Sequence, residues 1–345
     1  MILIDGAFGE GGGQILRSSL TLSVITGKPV AIQNIRANRR KPGLQPQHLK
    51  SVEAAASISN ARLTGNQLSS TELTFEPSRI HSGEYRFDIG TAGSTSLVLQ
   101  TVFLPLSLAA DSSKVTITGG THVPWSPSFH YLELQWLPKM QRLGFDAELK
   151  MEEAGFYPKG GGKIVAEIHP AENISGLVRL DRGELKKLFG ISAYANLKRQ
   201  VAERQLNQAK EILANRGFEP IIEIRKLSSP GINTMMLILG VFEHSLCCYF
   251  SLGARGKPAE KVATEAANQF LAFMNTSGVF DEYLADQILL PLALTNQTSE
   301  FRVPKITQHL LTNSEVIRQF TEASITIDGE LGEEGLVKVV GQMRT

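Results

Sequence analysis

Glu10 stands inside a run of glycines, and Arg17 follows a few residues later in an apolar segment. Both lie in GEGGGQILRSSL, residues 9–20. Glycines let the backbone approach a ligand closely and adopt positive φ at little cost. A glycine turn that opens a helix offers free backbone N–H groups and a positive dipole end, which suits phosphate. A carboxylate there does not suit phosphate unless a metal or an arginine lies between them. More charge follows in IRANRRKPGLQPQHLK, which holds Arg36, Arg39, Arg40 and Lys41, then Gln47 and His48. Arginine forks match phosphate oxygens bidentately. The plainer reading of such a run is a solvated basic loop.

Three further stretches hold polar groups in apolar surroundings. EYLADQILLPLAL puts Tyr283, Asp286 and Gln287 at the start of an apolar helix. Asp286 there reads either as a helix N-cap or, with its neighbours, as part of a nucleotide contact. Gln100, alone in LVLQTVFL, needs a partner or a ligand once buried. VPKITQHLLTNSEV holds His309 between a strand-like run and a helix with Asn313 or Ser314 as its expected cap. Six other histidines compete for any chemical role, and residue physics alone does not choose among them. GFYPKGGGKI, residues 155–164, lacks the Lys-Ser or Lys-Thr that a phosphate-binding P-loop needs, and it reads as a turn between strands.

The elements that must position these groups recur. QILRSSLTL, TVFLPLSLA and QILLPLALT share one pattern, and each leads into a short β-rich run: KPVAIQNI, SKVTITGG and SEFRVPKI. A second helical segment and another strand-like run follow each time. This predicts one α/β unit present three times. In that alignment Arg17 matches Leu104 and Leu290, so an arginine replaces an expected core residue and needs a partner for its charge. Extra material over about residues 183–278 carries its own strands and two amphipathic helices, the first closed by Gly217. It reads as a small α/β domain inserted into the third copy.

Composition sets outer bounds. The chain has 345 residues, 42% hydrophobic and 20% charged, enough for a large core or two domains. A formal net charge of +1 excludes a polyelectrolyte binder of long nucleic acid, so any such contact is local. The longest apolar runs are too short and too interrupted to span a bilayer, so no membrane partner is expected. The N-terminus lacks the features of a signal peptide, and the only cysteines, Cys247 and Cys248, are adjacent and imply no disulfide framework. The expected compartment is the cytoplasm.

Together, DGAFGEGGGQILRSSL, IRANRRKPGLQPQHL, GFYPKGGG, EYLADQ and HLLTN, in this order and spacing, resemble the RNA 3′-terminal phosphate cyclase family from end to end. The resemblance implies an α+β fold of three repeated units, each two helices on a four-stranded sheet, similar to the C-terminal domain of translation initiation factor three. A smaller inserted α/β domain completes it. The implied division is residues 1–182 with 279–345 for the large domain and 183–278 for the insert. The implied activity is ATP-dependent conversion of an RNA 3′-phosphate into a 2′,3′-cyclic phosphodiester, through a histidine–AMP intermediate and an RNA–phosphate–AMP anhydride.

Residue by residue, the resemblance maps the nucleophile to His309. It maps a divalent metal ligand, for Mg2+ or Mn2+, to Glu10. ATP contacts map to Gln100, Tyr283, Leu284, Ala285, Asp286 and Gln287. Phosphate or RNA-end contacts map to Arg17, Arg36, Arg39 and Gln47, with His48 beside them. The implied partner is RNA with a 3′-phosphate end; the sequence does not decide between a monomer and a homo-oligomer. Ala154 departs from the Arg or His often found before GFYPKGGG. Two other classes share related folds. Cyclase-like binding proteins of ribosome assembly lack the histidine, whereas His309, Arg36 and Arg39 are present here. Enolpyruvyl transferases use six repeats, and this chain has three.

Overall fold

The computed structural model describes residues 1–342. Three of its four sheets share one plan. In the first, strands order as Ile2–Asp5, Val30–Gln33, Leu73–Glu76 and Arg62–Thr64. In the second they order as Glu84–Asp88, Ser113–Gly119, Gly162–Ile168 and Ala147–Glu153. In the third they order as Val178–Arg179, Thr298–Val303, Gly335–Val340 and Ser324–Asp328. Each time the first strand pairs parallel to the second and the remaining pairs are antiparallel. The threefold unit expected from the sequence is therefore present, at the level of strand order as well as helix pattern.

Each unit holds two helical segments. The first ones are Gly13–Thr26, Thr95–Ser107 and Glu282–Ala293. The second ones are Pro46–Ser59, residues 129–142 and Gln308–Phe320. Within 129–142 the backbone widens to a π-helix over Leu132–Trp136. Strands such as Ser113–Gly119 and Gly162–Ile168 alternate buried and more exposed positions. That alternation marks sheets with one face on the core and one toward water. The buried faces carry the helices, and the helices pack on one another: Gly13–Thr26 touches Thr95–Ser107, Pro46–Ser59 and Gln308–Phe320. Gly13–Thr26 thus packs against a helix of each unit.

A fourth sheet, ordered Ile221–Lys226, Leu185–Ala195, Asn233–Phe242 and Leu246–Leu252, enters the chain inside the third unit, after Val178–Arg179 and before Glu282–Ala293. Helices Arg199–Ala214 and Ala259–Met274 pack on it. They enclose a separate apolar cluster with Met236, Ile238, Val262 and Phe270. Among the described residues no helix is long and apolar enough to cross a membrane.

Candidate active site

The first helices converge on a cavity of about 960 Å³. Positions at helical spacing reach it from each repeat: Gln14, Arg17 and Ser18; Leu97, Gln100 and Leu104; Tyr283, Asp286, Gln287 and Leu290. Leu104 and Leu290 are core residues, as expected, each 6% exposed, and they also line this cavity.

The glycine turn builds one end of this space. Gly11 has φ +58, a conformation that suits glycine. A Cβ on Gly13 would lie 2.5 Å from His48 Nε2 and 2.9 Å from Arg17 Nη1. Only a glycine lets those two side chains close over the turn. Helix Gly13–Thr26 begins at Gly12 with no side-chain cap, so its first N–H groups remain available to an anion.

Across the turn, His309 sits in the first helical turn of Gln308–Phe320. The cap of that helix is Thr307, whose hydroxyl accepts from Leu310 N at 3.0 Å, rather than Asn313 or Ser314. Both of those are buried in the helix body: Asn313 accepts from Ser18 Oγ at 2.6 Å and donates to the Asp286 carbonyl at 2.8 Å. His309 Nε2 lies 2.6 Å from Glu10 Oε2, and its Nδ1 faces Gln14 Oε1 at 2.5 Å. The other Glu10 oxygen pairs with Arg39, which also donates to the Glu10 carbonyl at 3.1 Å.

Electrostatics follow from this packing. The hydrogen bond with His309, against burial and with help from Arg39, holds Glu10 at about 2. Burial pulls His309 down, but Glu10 and Asp286 more than offset it and its pKa is raised. Burial also brings Arg17 to about 10, opposed by Asp286 and Glu10, and lifts Asp286 to about 7, opposed by His309 and Arg17. His48, buried beside Arg17 and Arg36, is pushed down to about 3. It accepts from Gln45 N through Nδ1 at 3.2 Å, so its Nε2 carries the proton. Arg36, with φ +55, donates to the Lys41 and Gly43 carbonyls and shapes the loop that carries Arg39.

The remaining expected contacts divide. Gln100 donates to Gln287 Oε1 at 2.6 Å, and Gln287 donates to the Tyr283 carbonyl at 2.6 Å, a polar strip along the cavity. Tyr283 is exposed at its edge. Leu284 and Ala285 instead point into the core, and their N–H groups are spent on Asp281. Asp281, not Asp286, caps this helix. Gln47 lines the cavity but spends its Oε1 on Ser94 N at 2.8 Å, the first residue of the next repeat's helix cap. Asp281 is a residue the sequence reading missed. Fully buried, it also accepts from Tyr131, Gln135 and Cys248 N, joining the second unit, the inserted sheet and the nucleotide-helix candidate. The aspartate five residues before Asp286 was the available signal.

Glu10 is the one carboxylate at the glycine turn, and among the described residues no group of three or more His, Cys, Asp or Glu is placed to hold a metal. A bare ion has no cage here. Mg2+ is commonly bound through one or two carboxylates plus substrate phosphates, and Glu10 fits that manner of binding.

A cavity lined by Arg17, Arg36 and Arg39, with His309 facing its glycine turn, on a fold of three repeated α+β units, defines the class of protein. The profile of the family RNA 3′-terminal phosphate cyclase matches residues 8–327. The chain is 42% identical over 343 residues to the protein of that name from Pyrococcus furiosus, covering 99% of each. It is 41% identical over 337 residues to the one from Nostoc punctiforme, covering 95% of this chain and 96% of the relative. The chain belongs to the RNA 3′-terminal phosphate cyclase family. Its likeness to the crystal structure of the enolpyruvyl transferase NikO from Streptomyces tendae is remote, with 10% identity, 99% of this chain and 48% of that one covered, and a TM-score of 0.37.

Proposed function

We propose that the chain uses ATP to convert an RNA 3′-phosphate into a 2′,3′-cyclic phosphodiester, with His309 as the nucleophile. The observation that carries the reading is the placement of His309 Nε2 beside Glu10, at an uncapped helix start, in one cavity with Arg17, Arg36 and Arg39. In the first step Nε2 forms a bond to the α-phosphorus of ATP while the α–β bridging P–O bond breaks and diphosphate leaves. Attack needs Nε2 without a proton, and Glu10, held at about 2, orients the ring at that nitrogen rather than accepting its proton. Gln14 holds the ring through Nδ1, which keeps the lone pair of the neutral ring on Nε2. In the second step an oxygen of the RNA 3′-phosphate takes the AMP phosphorus from Nε2 and forms an anhydride. In the third, the neighbouring 2′-OH loses its proton and attacks the 3′-phosphorus, and AMP leaves.

Arg17, Arg39 and the free N–H groups of the glycine turn offer donors for the phosphates. Gln100, Gln287 and Tyr283 offer the polar and aromatic wall for the nucleoside. Glu10 is the residue that would hold Mg2+ or Mn2+, and a bound divalent ion would neutralise triphosphate charge.

Incubation with ATP labelled at the α-phosphate, without RNA, tests the reading. Expected is a covalent adduct on His309, labile in acid, stable in base and abolished by chelation of divalent ions. A protein that stays unlabelled with metal and ATP present, or is labelled at another residue, overturns it. A non-catalytic RNA-binding protein of the same fold would give no label.

A further inference from the structure

Trp125 is 99% exposed, yet it belongs to the lining of the cavity, so it stands at the rim. The chain's other tryptophan, Trp136, is 3% exposed and packs edge-on against Phe103, with centroids 4.6 Å apart. Trp125 thus leaves a large π-face in water where its fellow is buried.

Its backbone is unusual as well. Trp125 has φ +59, a region that is costly for a bulky residue and persists where the surroundings enforce it. The surroundings are stiff. Pro124 and Pro127 flank it and fix their own φ. Ser126 Oγ donates to the Val123 carbonyl at 3.2 Å, and Phe129 N donates to the Thr121 carbonyl at 2.9 Å, closing the loop. Below it, the fully buried His122 lies 2.8 Å from His130 through their ring nitrogens. The loop therefore holds the indole outward on a fixed base.

We infer that Trp125 is a stacking platform for a base of the bound RNA near its 3′ end. The inference rests on the function proposed above, and it adds a contact outside the histidine–ATP chemistry. Single-stranded nucleic acid is held by positive groups for its phosphates and by aromatic faces for its bases, and stacking tolerates any base. Arg17, Arg36 and Arg39 supply the charge inside the cavity. A terminal phosphate placed there leaves the rest of the RNA chain to pass out over the rim, where Trp125 stands. With a net charge of +1 the chain as a whole exerts little pull on the RNA backbone, so a stacked base adds affinity that net charge does not.

Iodide reaches Trp125 but not the buried Trp136, and because Trp136 also lines the cavity the Trp125 signal is read as the difference between the unmodified protein and Trp125→Phe. A short oligoribonucleotide with a 3′-phosphate is added to the unmodified protein, and separately ATP alone. Expected is quenching, and protection from iodide, with the oligonucleotide and not with ATP; an oligonucleotide with abasic sites at its 3′ end should protect much less. In Trp125→Ala, KM for the RNA should rise about tenfold, the scale of one base–aromatic stack, with kcat little moved, and Trp125→Phe should restore most of the affinity. Labelling of His309 by ATP alone serves as the folding control for the variants. Protection by ATP without RNA would assign the ring to adenine and overturn the inference. So would equal protection by the abasic oligonucleotide, or an unmoved KM in the alanine variant. An unlabelled His309 in the unmodified protein would sink the cyclase reading instead, and the fluorescence result would still decide whether RNA meets Trp125.

Discussion

Glu10 Oε2 and His309 Nε2 lie 2.6 Å apart, bringing the first unit's glycine turn against the third unit's second helix. The same carboxylate pairs with Arg39. The imidazole is held from both sides, with Gln14 on one nitrogen and Glu10 on the other.

Replacing His309 with Ala should leave the fold intact. The side chain is 46% exposed, and surface changes usually stay within about 0.5 kcal/mol. The variant should still bind ATP and carry no covalent AMP. Thermal unfolding and the α-phosphate label measured side by side test this, and a variant that still acquires acid-labile AMP would remove His309 from its role.

Arg17→Leu should separate stability from function in the opposite sense. Arg17 has no direct ion pair or hydrogen bond among the described residues, only the more distant charges of Asp286 and Glu10. Its counterparts are Leu104 and Leu290. Replacing a desolvated charge with a well-packed apolar residue is often neutral or stabilising. We expect an equal or higher Tm with loss of RNA-dependent turnover. A clear fall in Tm would show that the guanidinium holds the fold.

Gln47→Ala tests whether this glutamine serves the ligand or the scaffold. Its Oε1 accepts from Ser94 N, and leaving that donor unmade should cost about 1 kcal/mol. Reduced stability with His309 labelling largely kept is the expected outcome. Unchanged stability with failed turnover would return Gln47 to the phosphate contacts.

Acid should weaken the protein through its buried histidines. Burial, with Arg17 and Arg36 nearby, pushes His48 down to about 3. Burial pushes His130 to about 4 and His122 well below the ordinary range. These groups stay neutral in the fold but take up protons near pH ~6.5 once unfolded. Between roughly that pH and about 4 the unfolded chain binds more protons, so stability falls as pH falls. Asp281 and Asp286, lifted to about 7 by burial, act in the opposite sense over the same window, so the histidine share of the slope of Tm against pH is read from a variant. His130→Gln should flatten the slope even if it lowers Tm throughout, and a slope as steep as the parent's would exonerate the pair.

The helices and the glycine turn were legible because their signals are local: period, flanking glycine, a run of arginines. Contacts between units were not. Nothing near Gln47 in the chain points to Ser94, and nothing near His309 points to Gln14. Strand Val178–Arg179 is two residues long and belongs to the third sheet only through its pairing with Thr298–Val303, so it carries no period to read. Asp286 looked like a cap because it precedes the apolar run, while Asp281 holds that position one turn earlier. Trp125 drew no notice, since one exposed aromatic has no pattern; its positive φ is visible only in the folded backbone.

Arg17, Leu104 and Leu290 occupy matching places in three like helices around one space. One arginine among two leucines leaves two of those places apolar and one cationic, so repetition supplies three walls of like build while a single unmatched residue makes one of them the wall that draws an anion.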